Sequence, residues 1–208
     1  DVYKRQDIMS SVKEAKRINP ATIASVRVPF GDNVGEIAEE LTYAGVEVIH
    51  LYADINGRAI NSSEIGFIKD MTLNVHRHLL DIKVRDEVTL IVSGGIAMAE
   101  HVAKSIICGA DLTAIDLPLL IALECRYCKN CQNGSPCPVD LKNANPQWGA
   151  QRILNLIGAW RNQLLEVLGA MGLREVRRLR GEVGRAIFFE DIEREAFGKV
   201  FAGGRVIR

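Results

Sequence analysis

Strand-like and helix-like stretches alternate along the first 124 residues, and this alternation constrains the fold more than any other feature of the sequence. Four apolar runs rich in β-branched residues predict strands, and a stretch of helical periodicity follows each of them. Buried strands that alternate with helices form parallel sheets. The sequence therefore predicts an α/β fold. The predicted strands cover residues 23–30, 46–52, 87–92 and 112–115, and the predicted helices cover residues 8–17, 32–44, 63–82, about 96–108 and a stretch from 117.

Four strands with their helices amount to half of an eight-stranded (β/α)₈ barrel, the TIM barrel. A small doubly wound sheet is the alternative, but the first predicted strand lacks the Gly-rich dinucleotide-binding turn of such sheets. We therefore predict the C-terminal half of a (β/α)₈ barrel, with the other half upstream of Asp1. The chain then divides into an uncertain stretch 1–6, a half-barrel 7–124, a cysteine loop 125–145 and a C-terminal helical extension 146–208.

The charge balance and hydropathy of the chain disfavour several classes of partner. The sequence has 26 Lys and Arg residues against 26 Asp and Glu residues, so its formal net charge is zero. A neutral chain has no overall field that would attract nucleic acid or an anionic membrane. No apolar run reaches the roughly 18 residues that a membrane span needs. We expect a cytoplasmic protein that binds neither nucleic acid nor membrane.

The C-terminal extension has helical patterns without strand patterns between them. A long amphipathic helix is predicted over residues 148–169, with shorter helices near 173–179 and 190–197. Residues 172–187 hold five arginines, and such a run is more often a solvated helix face than a nucleic-acid site. We expect these helices to pack outside the barrel.

Four of the five cysteines, Cys125, Cys128, Cys131 and Cys137, lie in one short loop. Cysteine thiolates are soft ligands that suit iron–sulfur clusters and zinc. A C-x₂-C-x₂-C run followed by Cys-Pro is typical of bacterial iron–sulfur ligation, whereas zinc sites more often pair two C-x₂-C units. We predict an iron–sulfur cluster, with zinc, disulfides or no metal as alternatives. Cys108 stands apart and is predicted to be an inert core residue.

A turn of small residues, Ser93-Gly94-Gly95, follows the third predicted strand and precedes a helix. Such a turn exposes backbone N–H groups, and the positive end of the next helix adds to their attraction for an anion. In (β/α)₈ barrels the common phosphate site lies after strands seven and eight. The turn predicts a phosphate site, and tight packing of the two glycines is the alternative.

Arg27 places a charge inside an otherwise apolar predicted strand. A buried cation costs free energy unless it meets an anion. Two interpretations stay open: Arg27 stabilises an anionic cofactor such as a reduced flavin, or it forms a structural ion pair with Asp54 or Glu47.

The histidines favour structural roles over catalysis. His50, on the second predicted strand, is expected to be a hydrogen-bonded core residue. His76 and His78 lie on the polar face of a predicted helix, and we expect both to be solvated.

In its order of motifs, the chain resembles the FMN-binding synthase region of glutamate synthase, in its ferredoxin-type and archaeal-type forms. That family has an N-P…V-x-V-K strand, a D-G-G turn, a G-T-A-P-L-I-A-L stretch, and spaced cysteines that end in C-P-V. The resemblance covers roughly residues 7–187. The matching stretches are Ile18-Asn19-Pro20 with Ser25-Val26-Arg27-Val28, Ser93-Gly94-Gly95, Asp116-Leu117-Pro118-Leu119-Leu120-Ile121-Ala122-Leu123, and Cys137-Pro138-Val139.

The resemblance implies FMN in the barrel mouth and an iron–sulfur cluster beside it. In the family, electrons enter through the cluster, pass to FMN and reduce the iminoglutarate formed from 2-oxoglutarate and ammonia. The implied partners are a 2-oxoglutarate-like substrate, a ferredoxin or reductase subunit as electron donor, and the missing half of the barrel. Arg27 would replace the family's flavin-contacting lysine and act as the catalytic residue. Ser93, Gly94, Gly95, Ile115 and Asp116 would hold the cofactor.

The cysteines match the family in part. Cys125, Cys131 and Cys137 correspond to its three cluster ligands, with the spacing altered by one residue, and Cys128 is an extra thiol. Three ligands would suit a [3Fe–4S] cluster, and four would suit [4Fe–4S].

Two departures from the family favour a second function. The glycine-rich loop after the family's earlier strand is residues 52–58 here, with most of its glycines lost. The family's Gly-Thr pair is Ile115-Asp116 here, and a carboxylate repels a phosphate. The alternative to a flavin- and iron–sulfur-dependent oxidoreductase is an electron-relay or non-catalytic module that keeps the cluster without flavin chemistry. A different phosphate-binding barrel enzyme, such as a nucleotide dehydrogenase, would explain the glycines but not the cysteines.

Overall fold

A computed structural model describes residues 5–60 and 66–182 of the chain. Four short strands alternate with helices, and two further helices follow. No helix in the described ranges combines the length and the apolar character that a bilayer span requires. The elements are α1 (Arg5–Ile18), β1 (Ser25–Pro29), α2 (Val34–Tyr43), β2 (Val48–Tyr52), α3 (Ile68–Asp81), β3 (Thr89–Ser93), α4 (Ala99–Ile107), β4 (Leu112–Ala114), α5 (Leu117–Ala122) and α6 (Pro146–Ala170).

The four strands form one parallel sheet in the order β1-β2-β3-β4, which is the order of the chain. The predicted strands are confirmed in place, although each observed strand is shorter than its apolar run. The start of α3 that the sequence predicted near residue 63, and the predicted helix 190–197, lie outside the described residues.

One face of the sheet is buried and the other is not. Val28, Leu51 and Val92 are register partners on adjacent strands, and all three lie in the main core together with apolar residues of α2 and α3. On the opposite face, Arg27 is exposed and its register partner His50 is half-buried. The next partner, Ile91, is half-buried, and Leu112 beyond it is exposed. This alternation fits strands that pack against helices on a single side.

The parallel α/β fold predicted from the sequence is confirmed. A right-handed crossover between neighbouring parallel strands places its helix on a fixed side of the sheet. Chain-order pairing therefore collects the crossover helices on one face, whereas a doubly wound sheet covers both faces. The half-barrel itself stays a prediction.

Helix α6 packs against α4 and α5, and a second, smaller core forms there. Arg152 in α6 donates from Nε to the carbonyl oxygen of Ala122 at 2.7 Å. After α6, a 3₁₀ turn over Val176–Leu179 inserts the fully buried Leu179 into that core beside Leu168. The described arginines of the basic run, Arg174, Arg177, Arg178 and Arg180, are exposed, as predicted for a solvated face, although the segment forms a 3₁₀ turn and buries Leu179.

Arg85 is a buried cation at the amino-terminal end of the sheet, only 2% exposed. Its guanidinium donates to the carbonyl oxygens of Val88 (2.9 Å) and Gly109 (2.7 Å), and to Oδ2 of Asp111 at 2.7 Å. The other oxygen of Asp111 accepts a bond from Arg180 at 2.6 Å. A buried ion pair needs further hydrogen bonds to offset the loss of water, and here every guanidinium nitrogen of Arg85 donates at least one. The same carboxylate thus joins the α/β core to the segment after α6.

His76 completes this cluster, and the prediction that it is solvated is wrong. The side chain is 7% exposed, and Nδ1 accepts a hydrogen bond from Nε of Arg85 at 3.0 Å. Gly109 makes room for the ring, since a Cβ at that residue would lie 2.2 Å from Cγ of His76. His78 is half-buried and bonds Oε2 of Glu39 at 2.7 Å, so it too is more enclosed than predicted.

The protonation of His76 should couple stability to pH. Burial, together with the cations of Arg85 and Arg180, lowers the pKa of His76 to about 4. The unfolded chain takes up this proton near pH 6.5, so the stabilisation is complete above about pH 6.5 and is lost as the pH falls to about 4. We expect denaturation of the intact protein at several pH values to show a loss of at most about 3 kcal/mol across this window.

The variant His76→Asn isolates this contribution, because asparagine keeps an acceptor for Arg85 but does not titrate. It should flatten the pH dependence between about pH 6.5 and 4. His101→Asn is the matched control, since Nδ1 of His101 accepts a bond from the Ala97 N–H in a half-exposed place. An unchanged slope in His76→Asn would contradict the assignment.

Candidate functional site

A cleft of about 130 Å³ opens at the carboxyl-terminal ends of the strands. Carboxyl ends of parallel strands meet at one edge of a sheet, which is where α/β proteins bind their ligands. The lining residues come from β1, the loops after β2 and β3, the start of α5 and the cysteine loop. They are Arg27, Ala53, Asp54, Ile55, Ser93, Gly94, Gly95, Ile96, Ala97, Asp116, Leu117, Leu120 and Tyr127.

Five of the six cofactor-binding residues predicted from the sequence line this cleft. They are Arg27, Ser93, Gly94, Gly95 and Asp116. The sixth, Ile115, follows β4 but does not line the cleft. The structure thus brings together residues that are up to 89 positions apart in the chain, as expected for the edge of a parallel sheet.

Gly94 and Gly95 pack closely against the loop after β2. Both have positive φ, +97° and +68°. A Cβ on Gly94 would lie 2.5 Å from the carbonyl oxygen of Ala53, and a Cβ on Gly95 would lie 2.7 Å from Cα of Gly57. Tight packing, the alternative considered for this turn, therefore accounts for both glycines. Phosphate binding there stays a prediction.

Asp54 organises the loop that these glycines touch. Its Oδ1 accepts hydrogen bonds from the backbone N–H groups of Asn56 and Arg58, both at 2.8 Å. Gly57 closes the turn with its N–H on the carbonyl oxygen of Asp54 at 3.0 Å. A carboxylate that accepts hydrogen bonds from nearby backbone N–H groups holds a turn in one conformation, whereas glycines only permit the turn. The lost family glycines are thus replaced by an Asp-centred turn.

Among the described residues, Arg27 is exposed at the edge of the cleft. Its guanidinium lies over the ring of Tyr52, 4.1 Å from the ring centroid. The two carboxylates considered as partners are engaged elsewhere: Glu47 bonds Lys16 and the Ala24 N–H, and Asp54 bonds its own loop. No ion pair to Arg27 is found within residues 7–60 and 66–182. The cation is therefore accessible to a ligand.

His50 and Ser93 face each other across β2 and β3. Nε2 of His50 lies 2.8 Å from Oγ of Ser93, which confirms the expectation of a hydrogen-bonded histidine. Burial, and then the nearby cation of Arg27, lower the pKa of His50 below its usual value. The imidazole is therefore mainly neutral at pH 7. It contacts Ser93, which lines the cleft.

Asp116 brings a negative charge to the cleft and caps α5. Its Oδ1 accepts a hydrogen bond from the N–H of Leu117 at 2.5 Å. A capping carboxylate is held in place by the helix end. The family's phosphate-end residues are thus replaced by a group that favours cations over phosphate.

The cysteine loop reaches the cleft through Tyr127. Three non-glycine residues of this loop, Tyr127, Lys129 and Asp140, have positive φ between +45° and +62°. Cys128 and Cys131 are exposed, while Cys125 and Cys137 are half-buried. In the part of the chain that the structure describes, no three cysteine, histidine or acidic side chains are grouped closely enough to hold a metal ion.

The donor chemistry of the loop nevertheless suits a metal centre. Backbone N–H groups of Leu141, Val139 and Asp140 lower the pKa of Cys137, and thiolates rather than thiols ligate metals. Metal ligands often gather only as the metal binds, because the binding free energy organises the loop. By contrast, burial raises the pKa of Cys108 to about 11, as expected of an inert core thiol.

Sequence reasoning missed two polar contributions to the cleft. Tyr127 lies between two cysteines and shows no pattern of its own, and Asp54 was considered only as a possible partner for Arg27. A signal for Asp54 was present in the Asp-x-Asn-Gly order of a tight turn. Tyr127 had no such signal, since its place depends on how the cysteine loop folds back.

Comparison with solved structures defines the fold class. A variant of flavocytochrome b2 with benzoylformate superposes with a TM-score of 0.59 at 15% identity, and the match covers 100% of this chain and 46% of that chain. The fold is an α/β fold with a parallel sheet, similar to that of a flavin enzyme.

The family follows from sequence comparison. The family described as "Conserved region in glutamate synthase" matches residues 1–174. The "Archaeal glutamate synthase [NADPH]" of Archaeoglobus fulgidus is 30% identical over 98% of this chain and 43% of its own length. The "Ferredoxin-dependent glutamate synthase" of Pyropia yezoensis is 23% identical over 88% of this chain and 12% of its own length. The chain belongs to the glutamate synthase family, and it spans less than half the length of these relatives.

The close contact of Gly95 with the loop after β2 predicts a steric requirement. Gly172 has nearly the same φ, +67° against +68°, but no atom lies within 4 Å of a Cβ placed there. Gly172→Ala should therefore cost only the conformational penalty of about 1–2 kcal/mol. Gly95→Ala should cost about 1–3 kcal/mol more, because the methyl group overlaps Gly57. Chemical denaturation of both variants measures the difference, and equal losses would show that the contact is absent in solution.

Proposed function

We propose that this chain is part of a flavin- and iron–sulfur-dependent oxidoreductase that forms glutamate from 2-oxoglutarate and ammonia or glutamine-derived nitrogen. Membership of the glutamate synthase family supports this reaction. The observation that carries the proposal is the cleft that joins the accessible cation of Arg27 to the Ser93-Gly94-Gly95 turn. A cation and a small-residue turn that line one cleft suit a ligand with an anionic ring and a phosphate.

We propose that the described sheet is half of a (β/α)₈ barrel. The support is the unburied face of the sheet, with apolar residues at both of its edges: Ile23, before β1, is 71% exposed, and Leu112, on β4, is 53% exposed. Unpaired edges and apolar faces are unfavourable in water unless another element covers them. A preceding segment with four more strands would pair with β1 and β4 and enclose Arg27 in the barrel mouth.

The residues present fit one part of an FMN site. Pockets for small molecules measure roughly 300–1,000 Å³, so the cleft of about 130 Å³ suits a portion of the cofactor. FMN, when bound, would supply the electron-transfer chemistry. Arg27 would stabilise negative charge on the ring, and the N–H groups of Gly94 and Gly95 would contact the phosphate. Leu117 and Leu120 would exclude water from one wall.

The cysteine loop would hold the iron–sulfur cluster beside this site. Cys125, Cys128, Cys131 and Cys137 would be the ligands, and Tyr127 would link the loop to the cleft wall. A ferredoxin or a reductase subunit would deliver electrons there, as the name of the Pyropia yezoensis relative suggests.

An electron-relay module without flavin chemistry is the second candidate. Asp116 favours it, because this carboxylate lines the cleft where the family has Gly-Thr beside the phosphate. The tight packing of Gly94 and Gly95 against the Ala53–Gly57 loop also favours it, since packing alone explains these glycines. Cofactor content distinguishes the two candidates.

The intact protein, purified without oxygen, should contain both FMN and iron with sulfide. Precipitation of the protein should release FMN, which is recognised by the usual flavin absorbance maxima at roughly 370 and 450 nm. Four thiolate ligands should give iron and sulfide in the ratio of a [4Fe–4S] cluster. Replacing Cys128 with serine should lower the iron content, whereas Cys108→Ser should leave it unchanged. One equivalent of zinc without iron would contradict the cluster, and iron with sulfide but no FMN would establish the relay.

Arg27→Met should make the bound flavin harder to reduce and leave the cluster intact. Arginine keeps its charge at any working pH, and a fixed cation stabilises the anionic reduced ring. A unit charge at about 4 Å is worth at most about 4 kcal/mol at an effective dielectric constant near 20, and solvent exposure lowers this figure. Potentiometric titration measures the change. Arg58→Met is a matched control, since that guanidinium lies near the ring of Phe67 outside the cleft lining. An unmoved potential in Arg27→Met would refute the flavin role.

A further inference from the structure

His50 lies between two residues that line the cleft. Its Nε2 lies 2.8 Å from Oγ of Ser93 on β3, and its register partner on β1 is Arg27. Arg27 in turn lies over Tyr52, two residues beyond His50 on the same face of β2. One imidazole therefore stands between the residue proposed for the flavin ring and the turn proposed for the phosphate.

The hydroxyl of Ser93 can serve an anion in only one of two arrangements. A serine hydroxyl has one donor proton and two acceptor lone pairs. If Nε2 of His50 accepts the proton of Ser93, the oxygen offers only lone pairs to the cleft and repels an anion. If Nε2–H donates to Oγ, the serine proton remains available for an anionic oxygen. The backbone after Ser93 cannot adjust in place of the hydroxyl, because Gly94 and Gly95 are packed against the neighbouring loop.

We propose that His50 is a positioning residue that donates its Nε2–H to Oγ of Ser93 and so directs the Ser93 proton to an anionic oxygen in the cleft. This inference rests on the proposed function, in which the phosphate of FMN supplies that oxygen. Both the neutral Nε2–H form and the imidazolium would donate in this way. Among the described residues, the charged or polar groups that face His50 are Arg27 from β1 and Ser93 from β3.

Affinity for FMN in the intact protein tests the coupling between the two side chains. His50→Leu should weaken FMN binding about five-fold, the size of one ordinary hydrogen bond. His50→Gln, whose amide can still donate, should retain most of the affinity. In a Ser93→Ala background, His50→Leu should have no further effect. His78→Leu, which removes a half-buried histidine bonded to Glu39 instead, is the control and should bind FMN normally.

Two outcomes of this cycle would overturn the inference: an unchanged affinity in His50→Leu, or the same loss with and without Ser93. A second readout needs no cofactor. Imidazole ¹⁵N shifts in the cofactor-free intact protein should show the Nε2–H form of His50, and Ser93→Ala should shift the Nε2 resonance. An Nδ1–H form, or a resonance indifferent to Ser93, would overturn the inference. If wild-type protein takes up no FMN, the proposed function fails, and the ¹⁵N result decides the role of His50 separately.

Discussion

Parallel pairing of the strands in chain order determines the rest of this structure. Right-handed crossovers between neighbouring strands place the helices on the same side of the sheet, so only that side becomes a core. The residues of the other side, Arg27, His50 and Ile91 among them, are left without a layer in the described ranges. The polar residues of this mixed face are therefore compatible with folding, because the buried face provides the hydrophobic stabilisation.

The same pairing separates a functional end from a structural end. At the carboxyl ends of the strands lie the cleft residues, with an accessible cation and packed glycines. At the amino ends lies the Arg85 cluster, in which every guanidinium nitrogen donates at least one hydrogen bond. That cluster joins α3, β3, β4 and the segment after α6, so a rigid base supports the loops at the other end. Division of labour of this kind is typical of sheets built from βα units.

Local sequence patterns sufficed for the strands and for much of the cleft. Apolar β-branched runs and glycine turns can be recognised from residues that are neighbours in the chain. Because the carboxyl ends of parallel strands meet at one edge of the sheet, Arg27, Ser93 and Asp116 could then be placed together. Contacts between distant residues were not predictable in this way. His76 looked polar and exposed on its helix, yet it is buried because Gly109 and Arg85 come together around it. Arg27 looked buried because its strand is apolar, yet its face of the sheet has no covering layer in the described ranges.

In the proposed half-barrel, the open face and the edges of this sheet belong to the interior of a larger barrel. The solution state of the 208-residue chain by itself tests this claim most directly, by light scattering combined with thermal unfolding. We expect the isolated chain to aggregate or dimerise through β1, β4 and the open face, and the intact protein not to do so. A soluble monomer of the isolated chain that unfolds cooperatively would contradict it.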